Sequence, residues 1–501
     1  MNVPYCLRHA ARFHGGRIAI EHEGRRVSYR EFAGRVSGVA AGLRDWGVKK
    51  NDRVAVWMRN GPEYLELYFA AALAGGVIVP LNTRWSEAEI GFVLRDSESR
   101  LAMVDEAFAE RAAALTGTVE TLEAALTPES LGVGEVGEGF EEPAEDGLAG
   151  LFYTSGTTGG PKGAMLTHRN LFANAMSGLA SGIFVATRWL HAAPMFHIAD
   201  AGAILGLTVA GSCHCFVPGF DAEGAMAAIE RHRITGLLLV PTMINMLVNH
   251  PCFGRHDLSS LERLSYGASP MPLPLLREAM AKLKCAFAQG YGMTEASGLL
   301  TVLAPEDHRL EGAKGGLAPA LSAGKPVVGV EVRVVDEEDR DVAAGEVGEV
   351  IARGANVMKG YWNRPEATAD VLRGGWLHTG DMGMFDEEGF LYIRDRKKDM
   401  IKTGGENVYS PEVEAAILGH EAVLEAAVIG MADERWGETI RAVVVVREGM
   451  ALSEGELIEH CRGRLTHFKC PRSAVFTDAL PKGGTGKVQK NALRERFGAV
   501  L

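Results

Sequence analysis

Residues 152 to 168, FYTSGTTGGPKGAMLTH, concentrate hydroxyls, glycines and a cation in one short stretch. It holds four Thr, four Gly, one Ser and Lys162 in seventeen residues, and it begins like a buried strand and ends like the approach to a helix. A glycine-rich turn exposes backbone N–H groups, Ser and Thr add hydroxyl donors, and a Lys adds charge, so phosphate oxygens can be held from several sides. The stretch therefore predicts a polyphosphate-binding loop.

Two familiar phosphate loops do not fit this stretch. A Walker loop needs a Lys followed by Ser or Thr, whereas Lys162 lies between Pro161 and Gly163. The dinucleotide fingerprint GxGxxG is also absent here, and no Ser of the chain stands in a GxSxG elbow, which argues against a hydrolase. A floppy surface loop is the simpler alternative, and the strand-like lead LAGLFYT argues against it.

Length and composition narrow the class of protein. A chain of 501 residues is too long for one hydrophobic core, so two or more domains are expected. Hydrophobic residues make up 47% and charged residues 23%, which is typical of a globular protein. The net charge of −12 argues against a nucleic-acid partner and is common among cytoplasmic enzymes.

No signal peptide and no transmembrane segment are predicted. The first residues, MNVPYCLRHAARFHGG, lack an apolar core, and the hydrophobic run 201–213 is too short to span a bilayer, so it predicts a buried helix and strand. The seven cysteines are odd in number and scattered, which predicts buried thiols in a reducing compartment, the cytoplasm. Cys213-His214-Cys215 lacks the second ligand pair of a zinc finger.

Strand and helix patterns alternate along the first hundred residues. GRIAIEHEG and RRVSY form a hairpin-like pair, and capping boxes at Ser28/Glu31 and Ser86/Glu89 begin two helices. This order predicts an α/β fold with parallel, doubly wound sheets. Residues 117–147 are rich in Glu and Gly and are predicted to be weakly ordered.

The pattern changes in the C-terminal third. Short β runs from Val330 predict a small β subdomain, and MGMFDEEGFLYI predicts a hairpin. The charged stretch YIRDRKKDMIKTGGEN is the strongest boundary candidate. Beyond it, a helix with Ser410 at its N-cap and Pro411 at N1, the strands EAAVIGM and RAVVVV, and a further helix predict a compact α+β tail.

Six motifs in one order carry a family resemblance. After the phosphate-loop stretch come PMFHIADAG, YGASP, QGYGMTEAS, GWLHTGDMGMFDEEGFLYIRDRKKDMIKTGGENVYSPEVE and PKGGTGKVQK, which together extend over essentially the whole chain. The sequence resembles the adenylate-forming superfamily of acyl- and aryl-CoA synthetases, peptide-synthetase adenylation domains and beetle luciferases, and within it the bacterial acyl-CoA ligases.

The resemblance implies a division of the chain and a reaction. A large N-terminal domain, residues 1–396, would bind ATP and the acid, and a small mobile C-terminal domain, residues 397–501, would carry the catalytic lysine. The enzyme would use ATP, Mg²⁺ and coenzyme A to make an acyl-CoA, with pyrophosphate and AMP as the other products. A homodimer is a further expectation.

The resemblance also implies a role for individual residues. The β- and γ-phosphates of ATP would be held by Thr154, Ser155, Gly156, Thr157, Thr158, Gly159 and Lys162. Around the adenine would lie Ala268, Gln289, Gly290 and Tyr291. The remaining nucleotide contacts would come from Thr294 at the α-phosphate, Asp381 and Arg396 at the ribose, and Lys398, Lys402 and Lys487. Glu295 and Thr154 would be magnesium ligands, which suits a hard cation. Taken alone, Asp381 would be an ordinary turn carboxylate after Gly380.

Lys487 matches the family's C-terminal catalytic lysine. A carboxylate that attacks the α-phosphate of ATP is an anion approaching an anion, and a bridging cation offsets that repulsion. Lys398 matches the hinge position about which the small domain would rotate, and Gly404 and Gly405 would then let the pantetheine arm of CoA pass close to the backbone. Alone, Lys487 would be a solvated charge and the region of Lys398 a charged linker.

The acid pocket is predicted around FHIADAG. His197 would stand beside the reacting carboxyl and act in catalysis with Lys487, Thr294 and Glu295, while Ile198, Ala199 and Ala203 would line the wall. A lone His is otherwise a satisfied core residue. The small apolar residues favour a medium- or long-chain fatty acid, with an aryl acid such as a cinnamate as the alternative. These segments contain no cation for a second carboxylate, which disfavours a malonate-like diacid.

Three rival functions remain open. An enzyme of the same chemistry could load a carrier protein, although only fourteen residues follow Lys487 and no carrier domain is among them. A nucleotide sensor that has lost catalysis is disfavoured by Glu295, Lys162 and Lys487. A light-emitting monooxygenase is an alternative only because the superfamily that the sequence resembles includes luciferases.

Overall fold

The computed structural model of the chain describes residues 1–131, 141–154, 160–312, 317–482 and 488–498. Its contacts divide the chain into two units, Met1–Val332 with Ala352–Leu377 and Arg333–Ile351 with His378–Leu501. The boundary expected between residues 396 and 397 is the point about which the small domain would rotate. A division by contacts does not test rotation, so this boundary stays a prediction.

The helices are numbered along the chain. They are α1 Val3–Phe13, α2 Tyr29–Asp45, α3 Pro62–Ala74, α4 Glu87–Asp96, α5 Ala109–Thr116, α6 Pro128–Leu131, α7 His168–Ala180, α8 Ile198–Ala210, α9 Ala222–His232, α10 Pro241–Val248, α11 Leu273–Leu283, α12 Pro365–Val371, α13 Ser410–Leu418, α14 Glu454–Arg462 and α15 Lys490–Phe497.

The strands are numbered in the same way. They are β1 Ile18–His22, β2 Arg25–Ser28, β3 Arg53–Trp57, β4 Val77–Pro80, β5 Leu101–Val104, β6 Ala124–Leu126, β7 Leu148–Thr154, β8 Lys162–Thr167, β9 Arg188–His191, β10 Cys213–Phe216, β11 Gly236–Leu239, β12 Arg263–Gly267, β13 Ala286–Tyr291, β14 Thr301–Leu303, β15 Lys325–Pro326, β16 Val330–Val335, β17 Gly348–Gly354, β18 Leu372–Arg373, β19 Trp376–Phe385, β20 Leu391–Arg396, β21 Ile401–Thr403, β22 Glu406–Val408, β23 Val423–Asp433, β24 Gly437–Val446 and β25 Ser473–Phe476.

Two largely parallel sheets build the first unit. One has nine strands in the order β15-β14-β13-β12-β11-β9-β10-β1-β2, and the other has six in the order β6-β5-β3-β4-β7-β8. The pairs β10–β9, β9–β11, β11–β12 and β12–β13 are parallel, whereas β13–β14 in the same sheet and β7–β8 in the six-stranded sheet are antiparallel. Parallel strands need crossover helices, and the alternating sequence supplies them.

Helices cover both faces of both sheets. One buried apolar cluster joins α1, α2, α3, α7 and α8 to residues of the two sheets, so these helices form a shared middle layer. Helices α9, α10 and α11 cover the outer face of the nine-stranded sheet, and α4 and α5 cover that of the six-stranded sheet. The α/β, doubly wound architecture predicted from the sequence is confirmed.

The second unit has its own sheet and core. Strands β22-β21-β24-β23 form the sheet, with β25 parallel to β24. Helices α13 and α14 pack on one apolar cluster of this sheet, and α15 contributes Leu493 to another. The predicted α+β character of the tail is confirmed. Within the same unit, β19 and β20 form the antiparallel hairpin that MGMFDEEGFLYI predicts.

The local predictions that rest on helix-capping residues are confirmed. Both capping boxes are present, at Ser28 with Glu31 and at Ser86 with Glu89. Two local predictions are wrong at particular residues. Within 117–147, which the sequence predicts to be weakly ordered, Ala124–Leu126 form β6 and extend the six-stranded sheet beside β5, while residues 132–140 lie outside the described residues. The N-cap of α13 is Tyr409, because Ser410 is already helical and donates its N–H and hydroxyl to Asp395.

The run 201–213 forms the end of a buried helix and the start of a strand, as predicted, in α8 and β10. Over the part of the chain that the structure describes, no helix has the length and hydrophobicity that crossing a bilayer requires. All seven cysteines are free thiols, and all but Cys285 are buried.

Candidate active site

The phosphate-loop stretch connects two antiparallel strands. Strands β7 and β8 pair so that Thr154 lies opposite Lys162, and the hydroxyl of Thr154 donates to the carbonyl of Lys162 at 3.5 Å. The predicted phosphate contacts between them, Ser155, Gly156, Thr157, Thr158 and Gly159, lie outside the described residues. The hairpin therefore holds Thr154 and Lys162 side by side where the loop begins and ends.

Residues 359–362 run along the other edge of β8. The N–H of Met165 donates to the carbonyl of Gly360 at 2.9 Å, and the N–H of Trp362 donates to Gly163 at 2.8 Å. This pairing brings the ring of Tyr361 to Lys162, whose Nζ lies 5.4 Å from the ring centroid. An ammonium at that distance is attracted to an aromatic face.

Glu295 lies in a 3-10 turn, Thr294–Ala296, directly after β13. Its side chain is buried, and the hydroxyl of Tyr361 donates to Oε1 at 2.7 Å. The N–H of Met358 donates to the carbonyl of Glu295 at 2.8 Å. Tyr361 thus links the predicted phosphate-binding cation, Lys162, to the predicted magnesium ligand. The sequence did not single out Tyr361, because its partner lies 66 positions earlier and no local pattern marks the contact.

The predicted adenine contacts meet where two parallel strands end. Gly267 of β12 is in register with Gly290 of β13, and a Cβ on Gly267 would lie 2.2 Å from the carbonyl oxygen of Gly290. Ala268 follows with a φ of 67°, in the left-handed region. The structure therefore places Ala268 beside Gln289 to Tyr291. Carboxyl ends of parallel strands are the usual place for a ligand in an open α/β sheet.

The turn after β13 packs on helix α8. A Cβ on Gly202 would lie 3.4 Å from the carbonyl oxygen of Ser297, and one on Gly298 would lie 3.5 Å from that of Ile198. The amide of Asn174 donates to Gly202, and its oxygen accepts from Leu299. The predicted acid-pocket helix and the predicted nucleotide motif are therefore in direct contact.

His197 is the residue before α8, and buried polar groups hold the segment that leads to it. The amide of Asn60 donates to His191 and Ala193 and accepts from the N–H of Met195 at 2.9 Å. The hydroxyl of Tyr68 donates to the carbonyl of Met195 at 2.6 Å. The side chain of His197 is half-buried beside Phe196.

The predicted pocket-wall residues differ in burial. Ile198 and Ala203 are buried, and Ala203 is fully enclosed in the cluster that includes Trp189 and Leu207. Ala199 is partly buried and packs against the same cluster. Because Ala203 is fully enclosed by protein, it would shape a pocket only indirectly, through the residues packed on it. The assignment of these residues to the pocket wall stays a prediction.

In the second unit, Asp381 and Arg396 form an ion pair. The two residues are opposite each other in β19 and β20, and Arg396 Nε lies 3.1 Å from Asp381 Oδ1. Asp381 is buried while the Arg396 side chain is 46% exposed. The structure brings together the two residues predicted to bind the ribose. The hydroxyl of Thr379 accepts from the N–H of Asp381 and so fixes the strand at this point.

The predicted hinge and CoA residues follow along the chain. The ammonium of Lys398 is packed among protein atoms, and this burial lowers the pKa of Lys398. The carboxylate of Asp399 partly opposes that shift. Lys402 is exposed in the middle of β21, and Gly404 and Gly405 form a two-residue hairpin turn with φ of 61° and 85°. Positive φ at both positions is the geometry that favours glycine. Lys487 lies outside the described residues.

Comparison with known proteins adds to this geometry. The chain matches the AMP-binding enzyme model over residues 7–362 and the AMP-binding enzyme C-terminal domain model over residues 412–487. A feruloyl-CoA synthase of Amycolatopsis sp is 41% identical over 487 residues, covering 96% of each chain. The long-chain-fatty-acid–CoA ligase FadD13 of Mycobacterium tuberculosis is 37% identical, covering 95% of this chain and 94% of the relative.

A solved structure is similar over the whole chain. The o-succinylbenzoate CoA synthetase of Bacillus subtilis, in complex with its acyl-adenylate intermediate, is 33% identical with a TM-score of 0.86. The match covers 98% of this chain and 97% of that one.

Proposed function

The chain belongs to the AMP-binding enzymes, and from that premise we propose that it activates an apolar monocarboxylic acid and transfers it to coenzyme A. It is an AMP-forming acid–thiol ligase that uses ATP, Mg²⁺ and CoA. In the first step the carboxylate attacks the α-phosphorus of ATP, and pyrophosphate leaves. In the second, the CoA thiolate attacks the acyl carbon, and AMP leaves.

The observation that carries the proposal is the series Lys162–Tyr361–Glu295. A cation and a buried carboxylate are held on one tyrosine, beside the β7–β8 hairpin that leads into the glycine-rich stretch. Lys162 would draw charge from the β- and γ-phosphates. Glu295 and the Thr154 hydroxyl are hard oxygen donors of the kind that Mg²⁺ prefers, so they would hold that ion, which neutralises phosphate charge.

Each remaining residue has a proposed task in the first step. His197 would orient the acid at the N-terminus of α8, and Thr294 would donate to the α-phosphate. Lys487 would bridge the attacking carboxylate and the α-phosphate, because two anions approach each other there. Asp381 would accept from the ribose hydroxyls, with Arg396 beside it.

The second step needs a different set of groups. Rotation about Lys398 would withdraw Lys487 and bring the turn of Gly404 and Gly405 to the adenylate, with Lys402 as a contact. A turn without side chains leaves room for a narrow pantetheine arm. This alternation and the boundary at residue 396 remain proposals.

For the acid, we propose an aryl-propenoic acid of the ferulate kind first. The similarity to a feruloyl-CoA synthase at 41% identity supports it, and this reverses the order that the pocket's small residues alone favoured. A medium- or long-chain fatty acid is the second candidate, supported by the similarity to FadD13 at 37%.

A panel of acids tests the proposal. Purified protein is incubated with ATP, Mg²⁺ and ferulate, cinnamate, octanoate, palmitate or malonate, with and without CoA, and pyrophosphate and AMP are measured. We expect CoA-dependent AMP with an apolar acid. Adenylate that accumulates in the presence of CoA and is consumed by an acyl carrier protein would support the carrier-loading rival, and no turnover at all would support the sensor.

Two further expectations need separate tests. Light scattering of the purified protein at two concentrations would distinguish a homodimer from a monomer. Cytoplasmic location is in keeping with the free cysteines and would be checked by fractionating cells that express the protein.

A further inference from the structure

Four polar side chains form a hydrogen-bonded chain inside the first unit. Asp200 Oδ2 lies 2.6 Å from His191 Nδ1, His191 Nε2 lies 2.9 Å from His214 Nδ1, and His214 Nε2 lies 3.2 Å from the Thr208 hydroxyl. All four side chains are fully buried. None of them was singled out by the sequence as a site residue.

The chain can satisfy its donors and acceptors in sequence. The carboxylate of Asp200 accepts from His191, and the two imidazoles are nearly coplanar, with an angle of 7° between the rings. Burial and the neighbouring His191 hold the pKa of His214 well below its ordinary value, so His214 is neutral and carries one N–H. The hydroxyl of Thr208 can either donate or accept.

Filling a core with such a hydrogen-bonded series costs free energy, because polar and charged groups are removed from water. Within the described part of the chain, no group donates to the second oxygen of Asp200, so this buried carboxylate depends on His191. Well-packed apolar residues in place of a buried ionic group are often neutral or stabilising. Apolar packing is not directional, whereas hydrogen bonds fix the distance and the angle between the elements that they join.

The position of the chain shows which element it fixes. Asp200 is in the first turn of α8 and Thr208 is near its last, eight residues or about 12 Å along the axis. His191 and His214 are on the adjacent parallel strands β9 and β10. The chain therefore ties both ends of α8 to the sheet beneath it.

Helix α8 carries the predicted acid pocket. His197 immediately precedes it, and the N–H groups of Asp200 and Ala201 donate to the carbonyl of His197. A shift of the first turn would therefore move His197, whose carbonyl these two N–H groups hold.

We infer that Asp200, His191, His214 and Thr208 are positioning residues that fix α8 against the sheet and thereby set the geometry of the acid site. All four are fully buried, so they would act through α8 and not by contact with substrate or nucleotide. The part of the inference that concerns the acid rests on the proposed function, while the fixing of the helix does not.

The test combines two readouts on Asp200→Asn and Thr208→Val. Asn keeps the shape of Asp and removes its charge, and Val keeps the shape of Thr and removes the hydroxyl. Hydrogen exchange of peptides from 198–210 should become about tenfold faster in Asp200→Asn, and KM for the acid should rise about tenfold, because the bond from His191 to a charged carboxylate becomes a weaker bond to a neutral amide. KM for ATP and for CoA should stay within about twofold.

A matched control is His232→Gln. His232 also pairs with a carboxylate, Glu21, at 3.1 Å in the same unit, but on α9 and β1. It should change neither the exchange of α8 nor KM for the acid. Thr208→Val should show a smaller effect of the same kind, and it keeps the test decisive if Asp200→Asn does not fold.

The outcomes separate the inference from the proposed function. Unchanged exchange of α8 overturns the inference, and so does faster exchange with all three KM values raised alike, which is a purely structural effect. If the unaltered protein turned over no acid, the proposed function would fail, and the exchange data would still decide whether the chain fixes the helix.

Discussion

The predicted site has two parts that are built in opposite ways. In the first unit, Lys162, Tyr361 and Glu295 are distant in sequence and are brought together by strand pairing and a buried hydrogen bond. In the second unit, Gly404 and Gly405 form a local two-residue turn that is exposed. A rigid, non-local assembly suits the binding of phosphate and metal, and a local turn suits a segment that approaches only in one step. The following predictions test that contrast.

The largest effect is expected from Lys487→Ala. Adenylate synthesis should fall at least about 100-fold, because the carboxylate and the α-phosphate lose their bridging cation. Transfer of the acyl group to CoA from supplied acyl-adenylate should remain within about threefold. Lys482→Ala, which removes a nearby lysine paired with Glu425, is the control and should leave both steps intact. Undiminished adenylate synthesis in Lys487→Ala would contradict the assignment.

Tyr361→Phe should weaken the rigid part. Loss of the hydroxyl that donates to Glu295 should lower pyrophosphate release about tenfold and raise KM for Mg·ATP, because a bond to a charged group is lost. Transfer from supplied adenylate should be unaffected. Tyr29→Phe removes another buried hydroxyl, which donates to Ser212, and serves as the control. Equal effects of the two variants on KM for Mg·ATP would show that the loss is structural.

Gly404→Ala should act on the other step. The added Cβ would lie 2.9 Å from the Trp436 ring at a φ of 61°, so thiol transfer should fall about fivefold while adenylate synthesis holds. Gly405→Ala has open space around its Cβ and should cost less. Gly389→Ala, at a left-handed turn of the β19–β20 hairpin, is the control. A fall in adenylate synthesis as large as that in thiol transfer would count against the division of labour.

The last prediction concerns stability and leaves turnover unchanged, and it involves the base of the first unit's hairpin. His168 is buried and accepts from the N–H of Val3, and burial lowers its pKa from 6.5 to about 4. The unfolded chain therefore binds the proton more readily between these values, and stability falls as pH drops from 7 to 4, by roughly 3 kcal/mol from this residue.

Urea unfolding of the unaltered protein and of His168→Gln at pH 7 and near pH 4 measures this effect. Glutamine retains an acceptor for the Val3 amide but does not titrate, so the variant should lose less stability on acidification. Equal losses in the two proteins would refute the prediction.

The sequence predicts those features whose cause is local or whose motif is long. Capping boxes place α2 and α4, and the ordered motifs identify the family. Tyr361 is not predictable in this way, because its role comes from pairing with β8 and from Glu295 far along the chain. The hydrogen-bonded series from Asp200 to Thr208 could not be predicted from the sequence for the same reason. Its members lie on three elements, and only the packing of those elements brings them together.

The two-step account is tested most directly by isotope exchange in the absence of CoA. Protein, ATP, Mg²⁺ and labelled pyrophosphate are incubated with and without the preferred acid. We expect acid-dependent incorporation of label into ATP, because adenylate formation is reversible and precedes the reaction with the thiol. Incorporation that requires CoA, or formation of ADP and phosphate in place of AMP and pyrophosphate, would contradict it.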